Sequence, residues 1–476
     1  MTIDENILLK HLTTFKIGGL ARYFCVAKSV ADLKEATTFA KKAGVPIFVL
    51  GGGSNVLISD EGFHGLVIKM AIQGVKFEDD GNYVRAIVSA GESWDNFVSE
   101  AVKKGLWGVE NLSGIPGTVG GAPVQNIGAY GVDVSETIES VEIFDTDNLG
   151  TRNLSADQCR FRYRDSLFKR PDGKDYIITK VSFRLAKEGK PNIFYKDLNK
   201  YFTLPGAPKS SIEEIRKAVL KIRSAKFPPL DKFGTAGSFF KNPIVDNGIL
   251  EDLKKKFPEI PSFPTDDGLV KLPLAWILDK VCGSRGLKME HVGLYERQPL
   301  VLVNFGEASS HEVLVLADKV AMDVRDKIGI EIEKEVRAIG EDRPPAKYRT
   351  GFWTLAYIYL PKITAVIQFF GWHHFRQNYL IGFLKSNKSP EDLMRHLNSK
   401  GYSRAHLAWK DKGEVFSVRK IVRHDFQYHI RFFNDYEIRG HYEYTAESHP
   451  IGHLCEAVFT DPKDYFDHLL YGYVEK

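Results

Sequence analysis

The stretch "VPIFVLGGGSNVLISDEGFHG", residues 45–65, sets three consecutive glycines and a Ser-Asn pair directly after an apolar run. A dinucleotide-binding loop of the Rossmann kind needs Gly-x-Gly-x-x-Gly between a strand and a helix. Gly51 and Gly53 fit that spacing, but the third glycine position holds Val56. The continuation is wrong as well: Val56 to Met70 contains Gly62 and Gly65 and ends in "LVIKM", a strand pattern. Consecutive glycines still bare several backbone N–H groups with no side chains in the way, as a pyrophosphate requires. The stretch therefore predicts either backbone close to an anion outside a Rossmann fold, or a tight strand-to-strand turn.

Around it the chain alternates helix and strand. "SVADLKEATTFAKKAG" is an amphipathic helix stopped by Gly44, and "VPIFVL" is the strand that follows. "YVRAIVSA" (83–90) reads as a strand and "ESWDNFVSEAVKKG" as a helix ending at Gly105. Next comes "GVENLSGIPGTVGGAPVQNIGAYG" (108–131), with seven glycines, two prolines and no period, the signature of a loop packed on a ligand or of a linker. Strands resume at "TIESVEIFDT" and "DYIITKVSFRLA", and a helix over 211–227 ends at Pro228-Pro229. Residues 234–340 alternate loop, helix and strand, closing with "EIEKEVRAIG" (331–340), whose alternation predicts a strand with Glu331, Glu333 and Glu335 on one face.

At 476 residues the chain calls for two to four domains. Its 43% hydrophobic and 26% charged residues exclude wholesale disorder, and a net charge of +4 is too small to argue for nucleic acid. "MTIDENILLK" is acidic where a signal peptide is basic. Cys25, Cys159, Cys282 and Cys455 form no CxxC, so a reducing cytoplasm is expected. After Gly340 the composition shifts: "EDRPPAKYRT" (341–350) reads as a linker, and the aromatic remainder holds ten of the fourteen histidines. Residues 351–372 are apolar over nearly a bilayer's width, but Pro361 and Lys362 at the centre favour two short buried elements over a membrane span. "SPEDLMRHLNSKG" (389–401) is a helix capped by Ser389 and stopped by Gly401. "HLAWKDKGEVFSVRKIV" and "QYHIRFFNDYEIRGHYEYT" read as hairpins, so a small α+β domain is expected there. His441 with Glu443, and His449 with His453, invite a metal reading, but without HExxH or paired cysteines no metal is expected.

Three further motifs bear chemistry. "RFRYRDSLFKR" (160–170) gathers five cations; most such runs are solvated faces, yet Tyr163-Arg164-Asp165-Ser166 sets a fixed charge beside a possible orienting partner. "GTAGSFFKNP" (234–243) places Ser238 on a glycine-flanked turn, a cap or turn residue unless it donates a proton. Glu335 in "EKEVRAIG" is by default an exposed strand carboxylate.

Taken in order, "TTFKIGG", "FVLGGGSN", "SGIPGTVGGAPVQNIGAYG", "CRFRYRDSLFK", "AGSFFKNP", "ERQPLVLVN" and "EKEVRAIG" resemble the UDP-N-acetylenolpyruvoylglucosamine reductase family of peptidoglycan synthesis over about residues 10–340. "IFYKDL" matches the loop tyrosine of its type I branch. The resemblance implies an α+β, vanillyl-alcohol oxidase-like architecture: a two-part FAD-binding region over 1–205, split near 70, and a substrate-binding domain over 206–340. A linker at 341–350 and an accessory domain over 351–476, in which no family is identified, complete the expected order. FAD is the implied cofactor, NADPH the co-substrate and a UDP-sugar the substrate, with no nucleic-acid partner and no membrane insertion. Gly51, Gly52, Gly53, Ser54 and Asn55 are implied to hold the FAD pyrophosphate. Ile115, Pro116, Gly117, Gly120 and Gly121 would wrap the flavin, with Asn126, Gly128 and Ala129 close by. Tyr195, Lys226, Asn242 and Gln298 match substrate-holding positions, and Arg164, Ser238 and Glu335 match the catalytic trio. An FAD oxidase using oxygen would lack the "YRDS", "GSFFKNP" and "EVR" motifs, and a flavin scaffold that merely recruits a partner has no need of the trio.

Overall fold

The computed structural model describes residues 1–340 except 266, and 379–475 except 405–412, 422–425, 445–465 and 468. The expectations for 341–350, 351–372, His449 and His453 lie outside the described residues, as does the side chain of Glu443. Contacts divide the chain into two units, Met1–Arg343 and Pro344–Lys476.

In the first unit, local rules set the early elements. The helix Val30–Ala43 begins where Ser29 Oγ accepts from Asp32 N at 3.2 Å and ends where Gly44 turns left-handed at φ 63°. It buries Leu33, Ala36, Thr37 and Ala40, one face at helical spacing. Its neighbour is a four-stranded sheet, Ile3–Leu8, Leu20–Ala27, Phe63–Met70 and Ile47–Leu50 in spatial order; the first pair is antiparallel and the rest parallel. Strands rather than a helix follow the glycine loop: Val56–Ile58, then Phe63–Met70.

A second, antiparallel sheet orders Gly150–Ser155, Ile138–Asp145, Tyr176–Ala186, Tyr83–Ser89 and Val75–Asp80. The helix Trp94–Lys103 packs Trp94 and Phe97 on Phe183 of this sheet, with Phe97 and Phe183 stacked at 4.8 Å. The helix Ile212–Lys226 rests on the same body. Arg216 grips Asp95 through two bonds of 2.7 and 2.9 Å, and Arg223 Nε donates to Gly114 O at 3.0 Å. Ile212 of that helix joins the core beneath this sheet, and Ile215, Ala218 and Val219 pack with Tyr130 and Leu198. A separate apolar core gathers Phe239, Phe240, Leu278, Leu302 and the buried face of the helix Ser310–Ile328.

One expectation fails here. Only Arg337–Ile339 of the segment 331–340 is a strand. Its carboxylates do not share a face: Glu331 turns to Arg325 (3.7 Å), Glu333 to Lys241 (2.7 Å) and Glu335 to Arg164 (3.5 Å). The backbone there is claimed by other segments of the chain at Phe239, Phe240 and Asn55, which breaks the ladder that alternation alone suggests.

The second unit carries a six-stranded sheet: Ser403–Arg404, Glu414–Ile421, Phe426–Phe433, Glu437–Tyr444, Tyr379–Leu384 and Val474–Glu475. The hairpin at Asn434-Asp435 and the Ser389-capped helix Pro390–Ser399 form as the sequence predicts.

Candidate active site

The site is assembled by the pairing of two strands nearly three hundred residues apart. Val56–Ile58, just past the glycine loop, runs parallel to Arg337–Ile339, with Arg337 opposite Val56. The residues immediately before each strand are thereby neighbours. Arg337 N donates to Asn55 O at 3.2 Å; Asn55 Nδ2 donates to Glu335 O at 3.3 Å and to Gln125 Oε1. On its other side Glu335 N donates to Phe239 O at 2.7 Å, so Ser238 is one residue from the peptide that fixes Glu335. Thr14 of "TTFKIGG" closes the ring: its N donates to Gly53 O at 3.0 Å and its Oγ1 to Thr235 O at 2.7 Å.

The two glycine stretches touch. A Cβ on Gly52 would stand 2.6 Å from Gly117 Cα, and Ser54 Oγ donates to Pro116 O at 2.8 Å. Among the described residues, the N–H groups of Gly51, Gly52, Gly53, Ser54 and Asn55 find no protein acceptor. A run of unsatisfied N–H groups beside glycine is a concavity built for an anion. Ile115 is half-buried beside the core, while Gly120 N is spent on Ala90 O at 2.9 Å, so Gly120 packs protein against protein. Gly121 is more open, with nothing nearer to a Cβ than Thr118 Oγ1 at 3.7 Å.

Arg164 sits in the left-handed region at φ 51° and is 15% exposed. Its Nη1 donates to Asn126 O (3.2 Å) and Asp133 Oδ1 (3.0 Å), its Nη2 donates to Gly128 O, and its Nε lies 3.5 Å from Glu335 Oε1. Asp165, the possible orienting partner beside it in sequence, is instead taken by Arg170 at 2.7 Å, and the carboxylates against Arg164 are Asp133 and Glu335. Asn126 spends its side-chain amide on Arg162 O (3.2 Å) and Ser135 N (3.0 Å), its N–H on Pro123 O (3.3 Å) and its carbonyl on Arg164, so it braces the site from behind. Ala129 continues the same short strand as Gly128. Burial pushes the Glu335 carboxyl above its ordinary value, against the pull of Arg164, Lys169 and Lys241. Ser238 is half-buried, and its hydroxyl has no partner among the described residues.

The remaining expected residues fall in two groups. Tyr195 stacks edge-on against Tyr130 at 5.3 Å and is 43% exposed, while Lys226 pairs with Asp197. Asn242 is engaged with the Tyr163 hydroxyl (3.3 Å) and Leu274 N (2.9 Å), and Gln298 opens the strand Gln298–Asn304. Sequence reasoning missed Asp133 and Asp197, and it named Tyr163 without its contact to Asn242. "GVDVSE" carries no charge pattern that points to Arg164, and Asp197 reads only as a first-turn helix acid.

Residues 21–149 match the FAD binding domain family, and residues 228–339 match the C-terminal domain of UDP-N-acetylenolpyruvoylglucosamine reductase. The UDP-N-acetylenolpyruvoylglucosamine reductase of Pseudomonas aeruginosa is 38% identical over 70% of this chain and 98% of its own length. That of Paraburkholderia xenovorans is 42% identical over 69% of this chain and 95% of its own length. Among solved structures, UDP-N-acetylenolpyruvylglucosamine reductase from Thermus caldophilus aligns over 71% of this chain and 99% of its own, at 26% identity and a TM-score of 0.50. The α+β class and the FAD-binding region expected from the motifs agree with these likenesses. Among the described residues no helix is long and apolar enough to cross a membrane. The chain belongs to the UDP-N-acetylenolpyruvoylglucosamine reductase family.

Proposed function

We propose that residues 1–340 reduce the enolpyruvyl ether of UDP-N-acetylglucosamine enolpyruvate to UDP-N-acetylmuramate, with FAD as cofactor and NADPH as co-substrate. The observation that carries this is the shared backbone: Glu335 is bonded at its carbonyl to Asn55 of the anion loop and at its N–H to Phe239, beside Ser238. An anion cradle, a half-buried cation with two carboxylates and a hydroxyl without a partner among the described residues thus meet in one place. FAD held there would supply hydride-transfer chemistry, with NADPH as the reductant.

The N–H groups of Gly51 to Asn55 suit the FAD pyrophosphate, with Ile115, Pro116, Gly117 and Gly121 along the neighbouring stretch and Asn126, Gly128 and Ala129 close by. Arg164 holds the substrate carboxylate and stabilises the negative charge that grows beside it when hydride reaches the vinyl carbon. Glu335, its carboxyl raised above the ordinary value by burial, lies against the Nε edge of Arg164 at 3.5 Å and orients the guanidinium. Ser238 gives its proton to the enolate carbon, since a hydroxyl acts as an acid only against so strong a base. Lys226 faces the diphosphate, with Tyr195, Asn242 and Gln298 placing the rest of the UDP-sugar. The buried free thiols of Cys25 and Cys159 suit a reducing cytoplasm.

The test is Ser238→Ala. Flavin reduction by NADPH survives while turnover on the enolpyruvyl sugar falls by about 10²- to 10⁴-fold, the worth of a positioned proton donor. Recolouring of the reduced flavin by air alone, with none by the sugar in the parent chain, refutes the reductase reading.

A further inference from the structure

Arg164 has five N–H groups to place. Three acceptors take one flank: Asn126 O, Gly128 O and the Asp133 carboxylate. Two of these are fixed backbone oxygens. Asp133 alone carries charge, and it comes from a separate two-residue strand, Val132–Asp133, paired with Gly128–Ala129. Its own N–H is tied to Glu136 Oε1 at 2.8 Å, so the carboxylate is presented from a braced turn.

Gly128 records the same arrangement independently. A Cβ there would collide with Asp133 Oδ1 and stand 2.6 Å from Arg164 Nη1, because the ion pair passes directly over the glycine. The left-handed φ of Arg164 also needs an anchor, since a side chain in that region is held by its surroundings rather than by preference.

We propose that Asp133 is a positioning residue for the reaction: it clamps one flank of the Arg164 guanidinium, so that the uncommitted donors stay on the Glu335 side, where the substrate carboxylate binds. This rests on the role given to Arg164 above. A charge-assisted bond from a braced carboxylate fixes the guanidinium plane more firmly than a neutral one. A displacement of about 1 Å at a reacting group is worth as much as ~10²-fold in rate.

The experiment separates the two half-reactions in purified, FAD-loaded full chain. Asp133→Asn lowers the rate of reoxidation by UDP-N-acetylglucosamine enolpyruvate by about 10- to 100-fold. FAD content, melting temperature and the rate of reduction by NADPH stay at parental values. Asp133→Glu recovers part of the loss, and in an Arg164→Lys background Asp133→Asn costs nothing further. Equal losses in both half-reactions, a loss of FAD, or full additivity with Arg164→Lys overturns the proposal. Failure of the parent chain itself to be reoxidised by the sugar refutes instead the function on which the proposal rests.

Discussion

Gly52→Ala tests whether the two glycine stretches form one cradle. Gly52 does not adopt a left-handed φ, so alanine carries no backbone strain of its own there. The whole effect comes from its neighbour: the added Cβ would lie 2.6 Å from Gly117 Cα, 3.1 Å from its carbonyl carbon and 3.4 Å from its nitrogen. Carbon atoms rest at about 3.5–4.0 Å, so the intrusion is roughly 1 Å, and all three atoms are main chain that cannot rotate away. Overpacking of this size costs about 1–3 kcal/mol. If the loops part to relieve it, FAD must bring them back together, and its dissociation constant rises by about 5- to 150-fold. Apo-protein titrated with FAD, followed by flavin fluorescence, reads that change directly. Gly105→Ala is the control: Gly105 has φ 69° with nothing within 4 Å of a Cβ, so alanine there adds only left-handed strain, about 1–2 kcal/mol of stability, and leaves FAD affinity alone. Parental affinity in Gly52→Ala, or equal weakening in Gly105→Ala, refutes the cradle.

Lys226 is paired with Asp197 before any diphosphate reaches it, both side chains about one-third exposed. Asp197→Asn removes an internal competitor worth little at such exposure, so KM for the UDP-sugar falls about 2- to 5-fold with kcat held; a rise in KM on steady-state kinetics shows that Asp197 orients Lys226 instead. At Glu335, burial holds the carboxyl above its ordinary value, so the folded chain binds that proton more tightly than the unfolded chain. This preference stabilises fully below the ordinary value of about 4.3 and is lost as pH rises through the higher folded value. Glu335→Gln therefore gains on the parent in urea unfolding between pH 4 and pH 8, and a stability difference that stays flat across that range refutes the assignment.

The sequence was legible wherever a rule acts over one turn or one ladder. Ser29 and Gly44 bound their helix, and Val56 to Met70 declared itself strand by its glycines and its apolar run. What no local rule reaches is the parallel pairing of Val56–Ile58 with Arg337–Ile339, which brings Asn55 beside Glu335. The alternation of Glu331, Glu333 and Glu335 misled for the same reason: partners from Phe239, Lys241 and Arg325 decide where each points. Motif order suggested Arg164, Ser238 and Glu335 as a set, but it could not point to Asp133, because adjacency in sequence favoured Asp165, whose charge Arg170 consumes.

The second unit shows the opposite limit, a pattern read correctly as strand whose faces were not readable. In Phe426–Phe433, Tyr428, Ile430 and Phe432 face the apolar core with Leu393 and Leu397 of the helix. Alternation would send the other face to water, yet Gln427, His429 and Arg431 are each only 1% exposed, as is His441 opposite His429. Arg431 donates to Glu414 at 2.8 Å within this buried layer. Burying such a pair costs about as much in lost hydration as the attraction returns, so stability does not explain it. Register does. A slip of one residue would carry Arg431 into the layer now filled by Ile430 and Phe432, and would take its charge away from Glu414. Polar groups buried on one face and apolar groups on the other thus fix the pairing of Phe426–Phe433 with Glu414–Ile421 and Glu437–Tyr444 far more tightly than two apolar faces would.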